Sequence, residues 1–171
     1  AVGQPPSFTV SAEAANAMAS LSTANVTAQA KALTTTQLAS LNTDALAALT
    51  TTQVDALTAT QLNALSTDQI QALETSDVAA IDVYQMASLS TTMVSALSTG
   101  QVEALSAAQV GKLTSGQFAQ LSTDQLVALS TTQMGSVTAT QINALSSDQI
   151  QSLETADLQA FRAAQISTLT T

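Results

Sequence analysis

The residues in this sequence best suited to ligand chemistry are its acids. Asp68, Glu74, Asp77 and Asp82 lie close together along the chain, and Asp148, Glu154 and Asp157 echo the first three. Grouped carboxylates offer hard oxygen ligands of the kind calcium takes. Their spacing matches no calcium-binding loop, however, and Arg162 stands where the echo of Asp82 would be. Asp68 and Asp77 also fit the first turn of a helix, where negative charge is favoured without any metal. The expectation is no cofactor, with calcium the single ion for which the residues make even a minor case. Nucleophilic catalysis has less to work with. Ser and Thr abound, but the chain has no His and no Cys, so no base or thiolate is at hand. Five scattered glycines make no phosphate loop. The chain is not expected to be an enzyme.

Composition narrows the partners. Net charge is −9 with three cations, Lys31, Lys112 and Arg162. Nucleic acid is excluded, because neutralising phosphates needs clustered Lys and Arg, and an anionic membrane surface is excluded for the same reason. No apolar run approaches the roughly 18 residues that span a bilayer, so no membrane insertion is expected. Hydrophobic residues make up 46% of the chain but aromatics only 2%, so the core must be assembled from small aliphatic pieces.

What must position these residues is an octad. From Leu33 to Thr168 the chain repeats every eight residues without insertion, giving seventeen units, and Leu169-Thr170-Thr171 begins another. Position 1 is Leu except at Ile81, Val137 and Phe161, and position 6 is always apolar. Position 2 is mostly Ser or Thr, position 5 mostly Gln, and position 8 mostly Ala. One continuous helix cannot use this period. At about 100° per residue, eight residues drift the apolar face by about 80° per unit. A strand fails because adjacent positions 8 and 1 are both apolar.

A helix restarted in every octad satisfies each position. Ser or Thr followed three residues later by Gln is a capping box, and the apolar residues at positions 1 and 6 are the flanking pair of a hydrophobic staple. Helices this short do not stand alone, so the units must stack on one another. The predicted fold is all-α: a solenoid or superhelix of short capped helices built from eight-residue repeats, with an extended N-terminal arm. Residues 1–12 form the arm, with Pro5-Pro6 barring a helix and Ser7 to Ser11 alternating as a strand would. Residues 13–32 form an N-terminal helical cap with an irregular first octad, in which Gln29-Ala30-Lys31-Ala32 adds about one helical turn. Residues 33–171 form the octad solenoid. A longer repeat overlies it: residues 57–81 and 137–161 agree at 17 of 25 positions, an offset of 137 − 57 = 80.

Departures from the octad mark candidate subunit contacts. Val83 and Tyr84 stand where hydroxyls or Asp normally face water, Met93 replaces a Gln, and Phe118 and Phe161 replace smaller apolar residues. With Phe8, Val10 and Leu169, these are the candidates for contact between copies of the chain. Local repacking of a loose core accounts for them equally well.

The octad Leu-(Ser/Thr)-x-x-Gln-(Val/Ile/Leu)-x-Ala, as in Leu97-Ser98-Thr99-Gly100-Gln101-Val102-Glu103-Ala104, resembles octapeptide arrays of large secreted surface and adhesin-like proteins of Gram-negative bacteria. The resemblance spans residues 33–171, implies an extracellular structural or adhesive role, and carries over no site residues. Ala1-Val2-Gly3 suits the end left by a signal peptidase, and the Lys-poor, Ser/Thr/Gln-rich composition also favours an extracellular or cell-surface protein. The functional expectation is a secreted structural protein that self-assembles into a filament or surface fibre, its partners being copies of itself. The alternative is a monomeric adhesin-type rod, or a module binding glycans, the cell surface or ice through ordered Thr hydroxyls.

Overall fold

The computed structural model describes residues 23–161 together with Gln165 and Ser167. Phe8, Val10, Leu169 and the expected N-terminal arm lie outside the described residues. Among the described residues the chain is all-helical, with sixteen short α-helices, one 3-10 turn and no strand. The ten-residue helix Thr23–Ala32 absorbs the irregular start, and from Thr35 onward each octad forms one element of three to six residues.

The caps explain why each helix begins. In the octad Leu65 to Ala72, Ser66 is extended (φ −73°, ψ 165°). Its hydroxyl accepts the Gln69 N–H at 3.3 Å, while Gln69 Oε1 accepts the Ser66 N–H at 2.9 Å. The pattern recurs down the chain, from Thr50 with Gln53 to Ser146 with Gln149. Helices end equally simply. The Leu at the next position 1 donates its N–H to the carbonyl of position 6, as from Leu57 to Val54 at 3.0 Å. The chain then runs extended through two residues and restarts. Among the described residues none has a positive φ, so the joints need no left-handed glycine and are set by the caps alone.

The period of the stack, which the octad leaves open, is three units. The helix Thr51–Asp55 packs against Thr75–Ala80, which packs against Thr99–Ala104, then Thr123–Val127, then Ser147–Ser152. Each step is 24 residues, so three short helices complete one turn of a three-sided coil. Consecutive octads therefore occupy different sides, and an octad meets its own kind one coil later. Positions 1 and 6 point inward from all three sides, with Leu158, 43% exposed, the exception among the described residues. Leu38, Leu62, Val78, Val102, Phe118, Leu126 and Met134 are fully buried, with Leu57, Leu73, Leu97, Leu105 and Leu121 nearly so. A single octad buries only two such side chains, too little to offset ordering eight residues. Coil-on-coil stacking makes the helices stable.

Burial divides the contact candidates between core and surface. Met93, Phe118 and Phe161 are core residues, exposed by 1%, 0% and 8%. Position 5 turns inward as much as positions 1 and 6 do, so a Met replacing Gln there stays buried rather than surfacing. Tyr84 does face solvent, 80% exposed, and Val83 is half-buried. Their octad breaks the helical pattern. Asp82 at the cap position accepts the Tyr84 N–H through Oδ1 at 2.7 Å, two residues on rather than three. This unit holds only the 3-10 turn Met86–Ser88.

Candidate functional site: a glutamine ladder

The acids that first suggested a metal lie on different sides of the coil. Asp68, Glu74 with Asp77, and Asp82 belong to three consecutive octads, and consecutive octads point in different directions. Among the described residues no group of three or more His, Cys, Asp or Glu converges. Asp77 is buried at position 5, 2% exposed. There Oδ2 accepts the Glu74 N–H at 3.3 Å, the role played by Gln Oε1 elsewhere. Burial raises the Asp77 pKa above the ordinary carboxylate value, the Glu74 N–H opposes this, and the Glu74 charge adds to it. A shallow depression beside Thr35, Thr36, Ala39, Ser40 and Ala64 has no charged group in its lining.

The organised polar chemistry of the molecule is instead inside it, at position 5. Sequence reasoning assigned these glutamines to the capping boxes and overlooked the other half of each side chain. Gln101, 1% exposed, uses Oε1 to accept the Ser98 N–H at 2.9 Å. Its Nε2 donates to the carbonyls of Ile70 and Leu73, each at 2.8 Å. Those carbonyls lie at the C-terminal end of the helix in the preceding coil, where backbone carbonyls run out of intrahelical N–H partners; the Ile70 carbonyl also accepts the Leu73 N–H at 3.2 Å. One amide thus satisfies the start of its own helix and the end of another. It does so because an amide carries an acceptor and two donors.

Among the described residues ten glutamines make this bond to the residue 28 positions earlier, one coil of 24 residues plus the four from position 1 to position 5. Gln61 reaches Leu33 at 2.7 Å, Gln69 Leu41 at 2.7 Å and Gln109 Ile81 at 2.8 Å. Gln117 reaches Leu89 at 2.6 Å, Gln125 Leu97 at 2.6 Å, Gln133 Leu105 at 2.6 Å and Gln141 Leu113 at 2.8 Å. Gln149 reaches Leu121 at 2.7 Å, and Gln165 bonds Val137. With Gln101 these form a spiral ladder of hydrogen bonds between coils. The signal was present in the sequence as an excess of Gln over Glu at position 5, since a capping box accepts either residue. Only the amide can also donate.

The exceptions show what a rung requires. Gln53 is fully buried, yet its Nε2 has no partner. Its rung would fall on Asn25, inside the continuous helix Thr23–Ala32, where the helix itself engages the carbonyl. At Met93 neither half of the amide exists. The Ser90 N–H is accepted instead by Asn63 Oδ1 at 2.7 Å, while Asn63 Nδ2 donates to the Ser88 carbonyl at 3.1 Å.

On the outside, one side of the coil carries a hydroxyl at position 3 in five successive coils. Thr51, Thr75, Thr99, Thr123 and Ser147 are all exposed. Among the described residues no helix is long and apolar enough to cross a membrane.

The ALTTAQ repeat family matches residues 27–59, 46–75, 78–115, 86–123 and 118–155. Its description spells the segment across one joint, positions 8, 1, 2, 3, 4 and 5, as in Ala32-Leu33-Thr34-Thr35-Thr36-Gln37. No curated protein and no solved structure matches the chain.

Proposed function

Because the chain belongs to the ALTTAQ repeat family, with matches over well more than half its length, we propose that its function is structural. It acts as a rod that self-assembles into an extracellular filament or surface fibre. The observation that carries the reading is the ladder. Most coils offer joint carbonyls on one face and glutamine amides on the other, so each such face complements the opposite face of a similar coil. Nothing in that geometry limits the number of coils, and a head-to-tail contact that does not close gives a filament. An acidic surface with few cations keeps such rods dispersed from nucleic acid and anionic lipid. Secretion rests on composition and on the likeness to secreted bacterial repeat arrays.

Electron microscopy of the concentrated, purified chain tests the reading, together with sedimentation across a concentration series. Fibres of uniform width are expected. A single 17.3 kDa species at every concentration overturns self-assembly. A second reading has its own support in the file of hydroxyls from Thr51 to Ser147. Regularly spaced hydroxyls on a rigid rod suit the recognition of a glycan or of ice by a monomer. A monodisperse chain retained on a glycan array, or one that halts ice growth, favours that reading.

A further inference from the structure

Among the described residues single rungs are missing at Gln53 and Asp157, but one gap in the ladder is a complete circuit of the coil. The three consecutive position-5 residues of the coil 73–96 are Asp77, Gln85 and Met93, and none makes a rung to the coil 49–72. Asp77 has a carboxyl group in place of the donor amide, and Met93 has no polar hydrogen. Gln85 sits in the distorted octad, with its Oε1 buried and unpartnered. Every other full interface described keeps two or three rungs. Gln61 and Gln69 precede the gap, and Gln101, Gln109 and Gln117 follow it.

What crosses the gap is apolar burial and a few side-chain bonds to backbone. The Asn63 pair bonds to Ser88 and Ser90, and Gln71 Nε2 reaches the Ala96 carbonyl at 3.3 Å. Elsewhere most octads add an amide bridging two helix ends. A stack of repeats behaves as a chain of nearest-neighbour interfaces, so one weak interface divides it into two cooperative blocks.

We propose that the interface between residues 49–72 and 73–96 is a built-in opening point, at which the rod parts into two independently opening blocks. A fibre subunit built this way yields at one chosen coil and keeps the remainder folded. The inference stands on the ladder alone and holds whether or not the chain assembles.

Hydrogen exchange of the full chain in dilute denaturant, read by mass spectrometry, tests it. Amides of residues 33–72 should exchange together, with a step in protection between 72 and 73. Fraying from the terminus would instead give a gradient from coil to coil. The double variant Asp77→Gln, Met93→Gln, which places the usual residue at both positions, should slow exchange of 33–72 by about tenfold or more and erase the step. Conversely, Gln101→Met, Gln109→Met, Gln117→Met should add a second step between 96 and 97. A smooth gradient in the natural chain overturns the proposal, as does a profile that neither variant changes. If the double variant fails to fold, the natural profile and the triple variant still decide.

Discussion

Gln101 Nε2 lies 2.8 Å from the carbonyl oxygen of Leu73, 28 residues earlier in the chain. The same side chain holds the N-terminus of its own helix through Ser98. This double use of one amide turns a series of helices, each too short to persist, into a continuous coil. It also makes position 5 the most demanding site of the octad, because two different hydrogen-bonding surfaces must be satisfied in a buried place.

That demand separates two substitutions of similar size at Gln117, 2% exposed. Gln117→Glu keeps the acceptor for the Thr114 N–H but loses both donors to Met86 and Leu89. At pH 7 it leaves an unpaired buried charge, expected to cost about 3–5 kcal/mol. Gln117→Met loses hydrogen bonds without adding charge, at about 1–3 kcal/mol. Urea unfolding should rank Glu below Met at pH 7, with the difference shrinking as the pH falls and the new carboxyl takes a proton.

Asp77 gives the natural chain a related pH dependence. Burial raises its folded-state pKa above the ordinary 3.8. The native state therefore binds this proton more readily than the unfolded chain does. The favourable contribution is fully present below the ordinary value and disappears as the pH rises through the raised one. Asp77→Asn should remove that contribution. The unfolding midpoint of the natural chain minus that of the variant should then fall as the pH rises from about 4 towards neutrality.

Phe118 and Tyr84 both depart from the octad yet should respond in opposite ways. Phe118 is fully buried, and Phe118→Ala is expected to destabilise the chain by about 3–5 kcal/mol. Tyr84 is 80% exposed, and Tyr84→Ser should change stability by less than about 0.5 kcal/mol. If Tyr84 touches a second copy, the serine variant should assemble only at higher concentration, as light scattering would record. Unchanged assembly removes Tyr84 from the contact surface.

The local structure was legible in the octad because caps act over three residues. Ser66 and Gln69 lie within one window, and their bonds depend on nothing outside it. The inward sense of positions 1 and 6 was legible too, since Leu65 and Ile70 flank one capped turn. The coil period was hidden because the rung from Gln69 to Leu41 spans 28 residues and leaves no mark beyond the repeat itself. The same gap concealed the burial of Met93 and the dispersal of Asp68, Asp77 and Asp82 over three sides. Residues adjacent in sequence suggested a cluster, whereas a three-sided coil separates neighbours and unites residues 24 apart.

Three helices per 24-residue turn is the claim on which everything else rests, and the absence of cysteine makes it simple to test. A Cβ built on Gly100 would lie 3.9 Å from Thr75 Cγ2 in the preceding coil, whereas at Gly116 it would meet nothing within 4 Å. Paired cysteines at 75 and 100 should oxidise rapidly to an intramolecular disulfide in dilute solution, and cysteines at 75 and 116 should not. Equal rates for the two pairs, or no bridge between 75 and 100, would contradict the coil.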